Sequence, residues 1–403
     1  MSADKGKVSR RAILKAGGVL SVLVAGGGVY RAVDSGVFSS GTGPAFEPWE
    51  DWRASRTSGA LKLVHAAILS ANAHNTQPWL FRLTEQRIEL FADPARHLGS
   101  FDPFRREMYL SLGCALANLQ LAAAAEGYHT TISHKQGRLS SRPDWQGPEP
   151  VAAIALLQNA PAPTLLERTL YEAIPNRHTD RAVYDSAKMT DELLRKFEPV
   201  ANTFEHVRLF WTTEPEKRRR YATECVAATE RIIADHVMVN DSQRWFCETW
   251  DDLQTRRSGP HIDVSGAPPI MRVLGKMLPP LDAETAHGYW LDATRRTAEA
   301  TGAFGTIAVR DKYDRAQSLE AGMVWQRLHL LATSLGISMQ PFNMMVECDD
   351  RERELGRSLA TEKKLADLIN TSDWQPTFQF RAGHPTAEAL PSARRALEDV
   401  LLS

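Results

Sequence analysis

The sequence predicts an α+β protein built as two tandem, degenerate halves in which mixed sheets pack under helices. Two observations carry this expectation. A long apolar helix over about 107–126 recurs 209 residues later, with Gly113, Leu119, Leu121, Ala123 and Gly127 returning as Gly322, Leu328, Leu330, Ala332 and Gly336. Five identities within that stretch of fifteen make an internal duplication the simplest account. After each copy the chain reads as a short strand, 129–134 in one case and 337–342 in the other. Helices followed by short strands in each half point to sheets covered by helices rather than to a helical bundle.

Taken in order, the chain opens with Ser9-Arg10-Arg11-Ala12-Ile13-Leu14-Lys15, which is similar to a twin-arginine export signal, followed by a glycine-rich apolar run over 16–30. That run falls short of the roughly 18–20 apolar residues of a membrane span. The expectation is export by the twin-arginine route to the periplasm or cell envelope. With no clean A-x-A cleavage site, retention as a membrane anchor stays open. Residues 31–50 read as a linker rich in Gly, Ser and Pro. The expected units are a signal or anchor with linker over 1–48, a first half over 49–160, and a second half over 161–403 carrying a helical insertion over about 214–300.

In the first half, Leu61, Val64, Ile68 and Leu69 form a helical apolar face on which His65 is expected to be a satisfied core histidine. The turn Ser70-Ala71-Asn72-Ala73-His74-Asn75-Thr76-Gln77-Pro78-Trp79 leads into a hairpin over 80–83 and 87–91, and a buried strand over 151–157 closes the half. Small residues in that turn let backbone approach a ligand, and His74 and Asn75 can aim donors and acceptors at it. A helix C-cap and turn would use the same residues. The second half offers a capped helix over 190–197 and strands over 207–212, 304–310 and 377–381. Its insertion is punctuated by Trp245, Trp250, Pro268, Pro269, Pro279, Pro280 and Trp290, and reads as a scaffold extension or as a cover suited to a flat ligand.

Arg177-His178-Thr179-Asp180-Arg181 places two arginines four apart with a hydroxyl between them, which is either a clamp for phosphate or a solvated basic loop. With 48 basic and 49 acidic residues, nothing global points to nucleic acid. Cys114, Cys225, Cys247 and Cys348 are widely spaced, Cys114 reads as a core residue, and no H-E-x-x-H occurs, so no metal is expected.

Taken together, these stretches resemble the FMN-dependent nitroreductase superfamily, and within it the Acg-type FMN-binding oxidoreductases. The resemblance runs from about Trp49 to the C-terminus. Arg177-His178-Thr179-Asp180-Arg181 is similar to the family's R-[HR]-[ST]-x-[RK] signature. By that likeness Arg177 would bind the flavin phosphate, with His178 and Thr179 beside it, and Arg181 would reach the ring near N1. The Asn72–Trp79 stretch is similar to the turn that abuts the flavin from the neighbouring subunit, which implicates His74 and Asn75. Gln340 and Pro341 join the implied cofactor-binding set, and Arg394-Arg395 is similar to the C-terminal basic pair that completes the phosphate site.

Family members are homodimers with the cofactor at the interface. The phosphate signature here stands only in the second half and the Gln-Pro-Trp turn only in the first. The resemblance thus implies a nitroreductase-like fold, a monomer that mimics a dimer, and one FMN per chain. Arg53-Ala54-Ser55-Arg56 is either a relic of a second signature or an exposed loop. The implied activity is reduction of a nitroaromatic, quinone-like or other flat small-molecule substrate through FMN, with the electron donor undefined and no catalytic side chain assigned. An exported enzyme would not meet NADPH, which keeps a flavin-sequestering protein without turnover as the alternative.

Overall fold

A computed structural model describes residues 28–403 except residues 159 and 186, so the export-signal stretch 9–15 lies outside the described residues. Among the described residues, eight strands form two four-stranded sheets. The first comprises β1 (Trp79–Leu83), β2 (Arg87–Ala92), β3 (His129–His134) and β4 (Glu149–Leu157) in the order β1-β2-β4-β3. The second comprises β5 (Val207–Thr212), β6 (Ala303–Val309), β7 (Ser338–Pro341) and β8 (Gln375–Gly383) in the order β5-β6-β8-β7. Numbered within each half, the two orders are the same, and in both a 20-residue helix joins the second strand to the third. The expected α+β class with a duplicated core is the architecture observed.

Local burial explains the strand patterns. β6 is buried along its whole length and is apolar but for Gly305 and Thr306, whereas β3 alternates exposed and half-buried positions because one face is open to solvent. One feature departs from expectation: the sheets are antiparallel throughout, not mixed. The helical crossover does return β3 in the direction of β2, as a mixed sheet would need. β4 then inserts between them, so every neighbouring pair runs antiparallel.

The two long helices, Arg106–Ala125 and Arg315–Ser334, cross at Gly113 and Gly322. A Cβ on Gly113 would stand 2.1 Å from the Leu319 carbonyl oxygen, and one on Gly322 would stand 2.0 Å from that of Leu110. The contact is reciprocal at the 209-residue offset, as in a two-fold interface where each partner presents the same patch. Beside the crossing, Gln326 donates to Asn118 at 2.8 Å, Asn118 donates to the Ala66 carbonyl at 2.8 Å, and the Ala71 amide donates to Gln326 at 3.0 Å. All these groups are buried, and mutual satisfaction fixes the helix pair against the stretch leading into the 70–79 turn.

The two halves differ most between their first two strands. β1 and β2 are joined by a short turn closed by Thr84 and Arg87; β5 and β6 are separated by the insertion, with helices Pro215–Ala234, His236–Gln243, Trp250–Arg256, Pro269–Met277 and Ala283–Glu299. Tyr221 anchors it by stacking on Phe304 of β6 with ring centroids 4.2 Å apart. The stretch expected to be a linker is packed onto the body: Ala45 and Phe46 are buried, and Gly36, at φ +67°, lies where a Cβ would meet the Trp250 ring at 2.3 Å.

Candidate functional site

Arg177 follows the Leu165–Ala173 helix, whose capping box uses Thr164 and Glu167, and the short turn Ile174–Asn176 that tips the chain inward. Its guanidinium is 2% exposed and meets no carboxylate: Nη2 donates to the Leu69 carbonyl at 3.3 Å and Nη1 reaches His329 Nδ1 at 3.5 Å. Because a guanidinium only donates, His329 accepts at Nδ1 and donates from Nε2 to the His178 carbonyl at 3.2 Å. Arg394 converges from the C-terminal tail, 1% exposed, donating to Asn75 Oδ1 at 2.8 Å and to the Ser70 carbonyl at 3.0 Å. It lies over the Trp49 ring at 4.9 Å, and Trp49 also stacks edge-on against His178.

Two buried cations so close repel. Burial holds Arg177 down to about 10, and burial together with Arg177 pushes Arg394 well below its ordinary value. Burial and the same two arginines hold His178 neutral, well below its usual range. Arg177 Nε, Arg394 Nε, His178 Nδ1 and the Ser70 hydroxyl are all buried with no hydrogen-bond partner. This is a donor-rich, cationic interior with no carboxylate partner among the described residues.

The 70–79 turn borders it. His74, Asn75 and Gln77 all take positive φ, at 46°, 50° and 51°, a conformation uncommon for residues other than glycine. Asn75 is buried and donates to the Ala393 carbonyl at 2.9 Å while accepting from Arg394, which brings the turn and the C-terminal tail together. His74 meets Ser242 at 2.9 Å and the edge of Phe101. Burial, with Arg181 nearby, holds its pKa at about 4.

Arg181 and Gln340 belong to a second group joined through Arg381, while Pro341 sits opposite Phe380 in the β7–β8 pairing. Arg181 Nη1 donates to the Val264 carbonyl at 3.1 Å. Gln340 accepts from Arg381 Nε at 2.6 Å, and Arg381 also donates to the Ala182 carbonyl at 2.6 Å and stacks on Tyr184 at 3.8 Å. Arg381 is fully buried and its Nη1 has no partner. Sequence reading missed it, although an arginine directly after the Phe378-x-Phe380 alternation of β8 was the available signal. It also missed Ser70, Trp49 and His329, for which no motif speaks. Thr179 is half-buried beside the clamp.

The structure separates Arg395 from Arg394. The Arg395 amide donates to Gln77 Oε1 at 2.8 Å, but its guanidinium turns outward to a different cavity, lined also by Arg96, Arg256 and Arg257. Arg53–Arg56 is exposed, with Arg56 paired to Asp51, so the loop reading of that stretch holds. His65 is a satisfied core histidine, bonded to the Pro48 carbonyl at 2.7 Å and Thr57 at 3.0 Å.

The insertion covers the site. Asn75 and Gly259 exchange bonds, the Gly259 amide donating to the Asn75 carbonyl at 3.0 Å. Gln77 donates to the Arg257 carbonyl at 2.7 Å, and His74 and Arg181 are held by Ser242 and Val264. Gly266, at φ +79°, passes so close to the Arg181 carbonyl that a Cβ would stand 2.2 Å away. Of the insertion's aromatic residues it is Phe246 that faces His74, whereas Trp250 packs on Phe46 and His261.

Fold and site thus define an α+β protein with two pseudo-equivalent halves, a buried cationic cluster and a strained turn at its edge. No protein-family model matches the chain. Over 119 residues it is 35% identical to two Mycobacterium tuberculosis proteins provisionally named NAD(P)H nitroreductases, one from strain H37Rv and one from strain CDC 1551. The match takes in 29% of this chain and 32% of each relative, so it spans about a third of their length. Among solved structures, an FMN-dependent nitroreductase from Mycobacterium smegmatis in complex with NADPH aligns at TM-score 0.39 and 14% identity, covering 58% of this chain and 97% of that one. A nitroreductase with bound FMN from Desulfitobacterium hafniense aligns at TM-score 0.35 and 11% identity, covering 58% and 97%. At such TM-scores function has to be read from this chain's own residues.

Proposed function

We propose that the chain is an FMN-dependent oxidoreductase of nitroreductase type, of the Acg-like kind, acting as a monomer on a flat small molecule such as a nitroaromatic or quinone. The observation that carries the reading is the pair of buried guanidiniums, Arg177 and Arg394, with no carboxylate and with unpartnered donors at Arg177 Nε, Arg394 Nε and Ser70 Oγ. A phosphate is the ligand chemistry that satisfies such a set. Bound FMN would supply the redox chemistry itself. The chain's own part is to hold the phosphate with Arg177, Arg394 and Ser70, to keep Arg181 and the Gln340–Arg381 pair as fixed polar contacts, and to exclude water with the 242–266 stretch.

The test is the absorption spectrum of the purified protein. A flavin band is expected, and Arg177→Ala should lower FMN affinity at least tenfold, about 1.4 kcal/mol or more. A colourless protein that takes up no FMN overturns the reading. Dithionite reduction followed by reoxidation with nitroaromatics or quinones then tests turnover, and NADPH oxidation tests the donor. A second reading, a protein that sequesters flavin without turnover, is favoured by the ties from His74, Asn75, Gln77 and Arg181 to the insertion. It predicts a reduced flavin that neither acceptor reoxidises. Export by the twin-arginine route belongs to the same proposal, and replacing Arg10 and Arg11 with Lys should retain a reporter fusion in the cytoplasm.

A further inference from the structure

A cationic cavity apart from the buried clamp lies at the seam between the insertion and the C-terminal tail. Its volume is about 450 Å³, and Arg96, Arg256, Arg257 and Arg395 line it with Glu398 and Asp399. Two of the arginines are already engaged. Arg96 donates to the Thr76 carbonyl at 2.7 Å and pairs with Asp93, and Arg256 pairs with Asp252 at 3.1 Å while donating to the Arg244 carbonyl at 3.0 Å.

The other two keep donors free. Arg395 donates from Nη2 to the Asp399 carbonyl, but its Nη1 is buried without a partner. The Arg257 side chain is half-buried and makes no hydrogen bond or ion pair among the described residues. Its backbone ends the Trp250–Arg256 helix in the left-handed region at φ 50°, a position usually given to glycine. An arginine held there against that preference, aimed at a cavity beside a second uncommitted guanidinium, is the kind of strain that accompanies binding sites.

We infer that this cavity is a second anion site, distinct from the buried clamp, and that it takes a phosphate or a phosphorylated small molecule between Arg257 and Arg395. Two planar guanidiniums match phosphate oxygens by paired N–H donation, and the volume admits more than a bare phosphate. The two sites are walled apart by Gln77, whose side chain spans the Arg257 carbonyl and the Arg395 amide. Because Arg257 belongs to the insertion and Arg395 to the tail, the ligand ties the cover to the body.

The test is calorimetric titration of the purified protein with inorganic phosphate and with pyrophosphate, in phosphate-free buffer at low ionic strength. One site for at least one of the two probes is expected. Arg257→Gly, which suits the left-handed backbone and so preserves the fold, should weaken it at least tenfold, as should Arg395→Ala, with flavin absorbance per protein unchanged. Tighter binding of pyrophosphate points to a phosphorylated molecule, and equal binding to free phosphate; both support the site. Absence of binding by either probe, unchanged affinity in Arg257→Gly, or flavin lost in step with anion affinity would overturn it, the last by making the cavity part of the flavin site. In a flavin-free protein the buried clamp can also take the probe, and the comparison of wild type with Arg257→Gly then decides the matter, because Arg257 lies outside the clamp; failure of this site is thus separable from failure of the flavin reading, on which it does not rest.

Discussion

Two fully buried arginines in this protein live in opposite surroundings. Arg106, at the start of the first long helix, donates from Nε to Asp350 at 2.7 Å and from Nη1 to the Thr377 carbonyl at 2.5 Å. Asp350 also accepts from Lys312 at 2.7 Å and from Tyr313 at 2.7 Å, and Lys312 pairs with Asp349 as well. Arg177 has a carbonyl and a neutral histidine and, among the described residues, no carboxylate. Taking an ion out of water costs several kcal/mol after relaxation. In the first cluster that cost is offset inside the chain; in the second no carboxylate among the described residues offsets it, and on the proposed reading a bound phosphate would.

Asp350→Ala is the largest way to break the comparison. Burial pushes the Asp350 carboxyl up, but Arg106 and Lys312 outweigh it and hold it at about 2. Its removal leaves both cations short of a partner, and a loss of about 3–5 kcal/mol is expected in urea denaturation. A loss below about 1 kcal/mol would mean that the network is not what stabilises Arg106.

Next in size is the dyad. Gly113→Ala and Gly322→Ala each drive a methyl into a carbonyl of the facing helix, and each should cost about 1–3 kcal/mol by the same denaturation. Reciprocal contacts predict similar losses for the two. A large inequality would show that the pseudo-two-fold is only approximate at its own axis.

How much of this the sequence disclosed depends on the kind of interaction. The strands were legible because apolar runs and alternation report burial directly, and the duplication was legible because Gly113 and Gly322 have no substitute at a 2 Å approach. Antiparallel pairing was not, since the placement of β4 between β2 and β3 is decided by packing rather than by local pattern. Within the site, Arg177 and Asn75 were found from their motifs. Arg394 and Arg395 looked equivalent as neighbours in sequence, yet one turns inward and the other outward. The Asp349–Asp350 pair was passed over because the charged helix Met344–Glu354 looks solvated, although its first turns are buried.

Arg394→Met sharpens the contrast from the other side. In flavin-free protein it removes a buried, unpaired charge and keeps the volume, so stability should hold or rise by about 1–2 kcal/mol while FMN affinity falls. The same exchange at Arg106 should destabilise, because it strands Asp350. Flavin-free Arg394→Met unfolding earlier than the wild type would show that its bonds to Asn75 and Ser70 outweigh the uncompensated charge.

The smallest effects are in pH, and the two clusters should respond with opposite sign. His74, beside the unmatched arginines, has a folded pKa of about 4 against about 6.5 when unfolded. Between those values the unfolded chain binds the extra proton, so this residue's contribution is lost as pH falls from about 6.5 to 4. Glu107, in the matched cluster, is raised by burial to about 7, against the pull of Arg106. Its folded form keeps a proton that the unfolded carboxyl has released, so its contribution is lost as pH rises from about 4.5 through 7. His74→Gln should therefore flatten the acid limb of stability against pH, by about 1 kcal/mol after allowance for partial exposure. Glu107→Gln should flatten the neutral limb instead. Melting curves for the two variants from pH 4 to pH 8 make the check: crossing profiles are expected, and parallel ones would mean that neither proton is held by the cluster in which it sits.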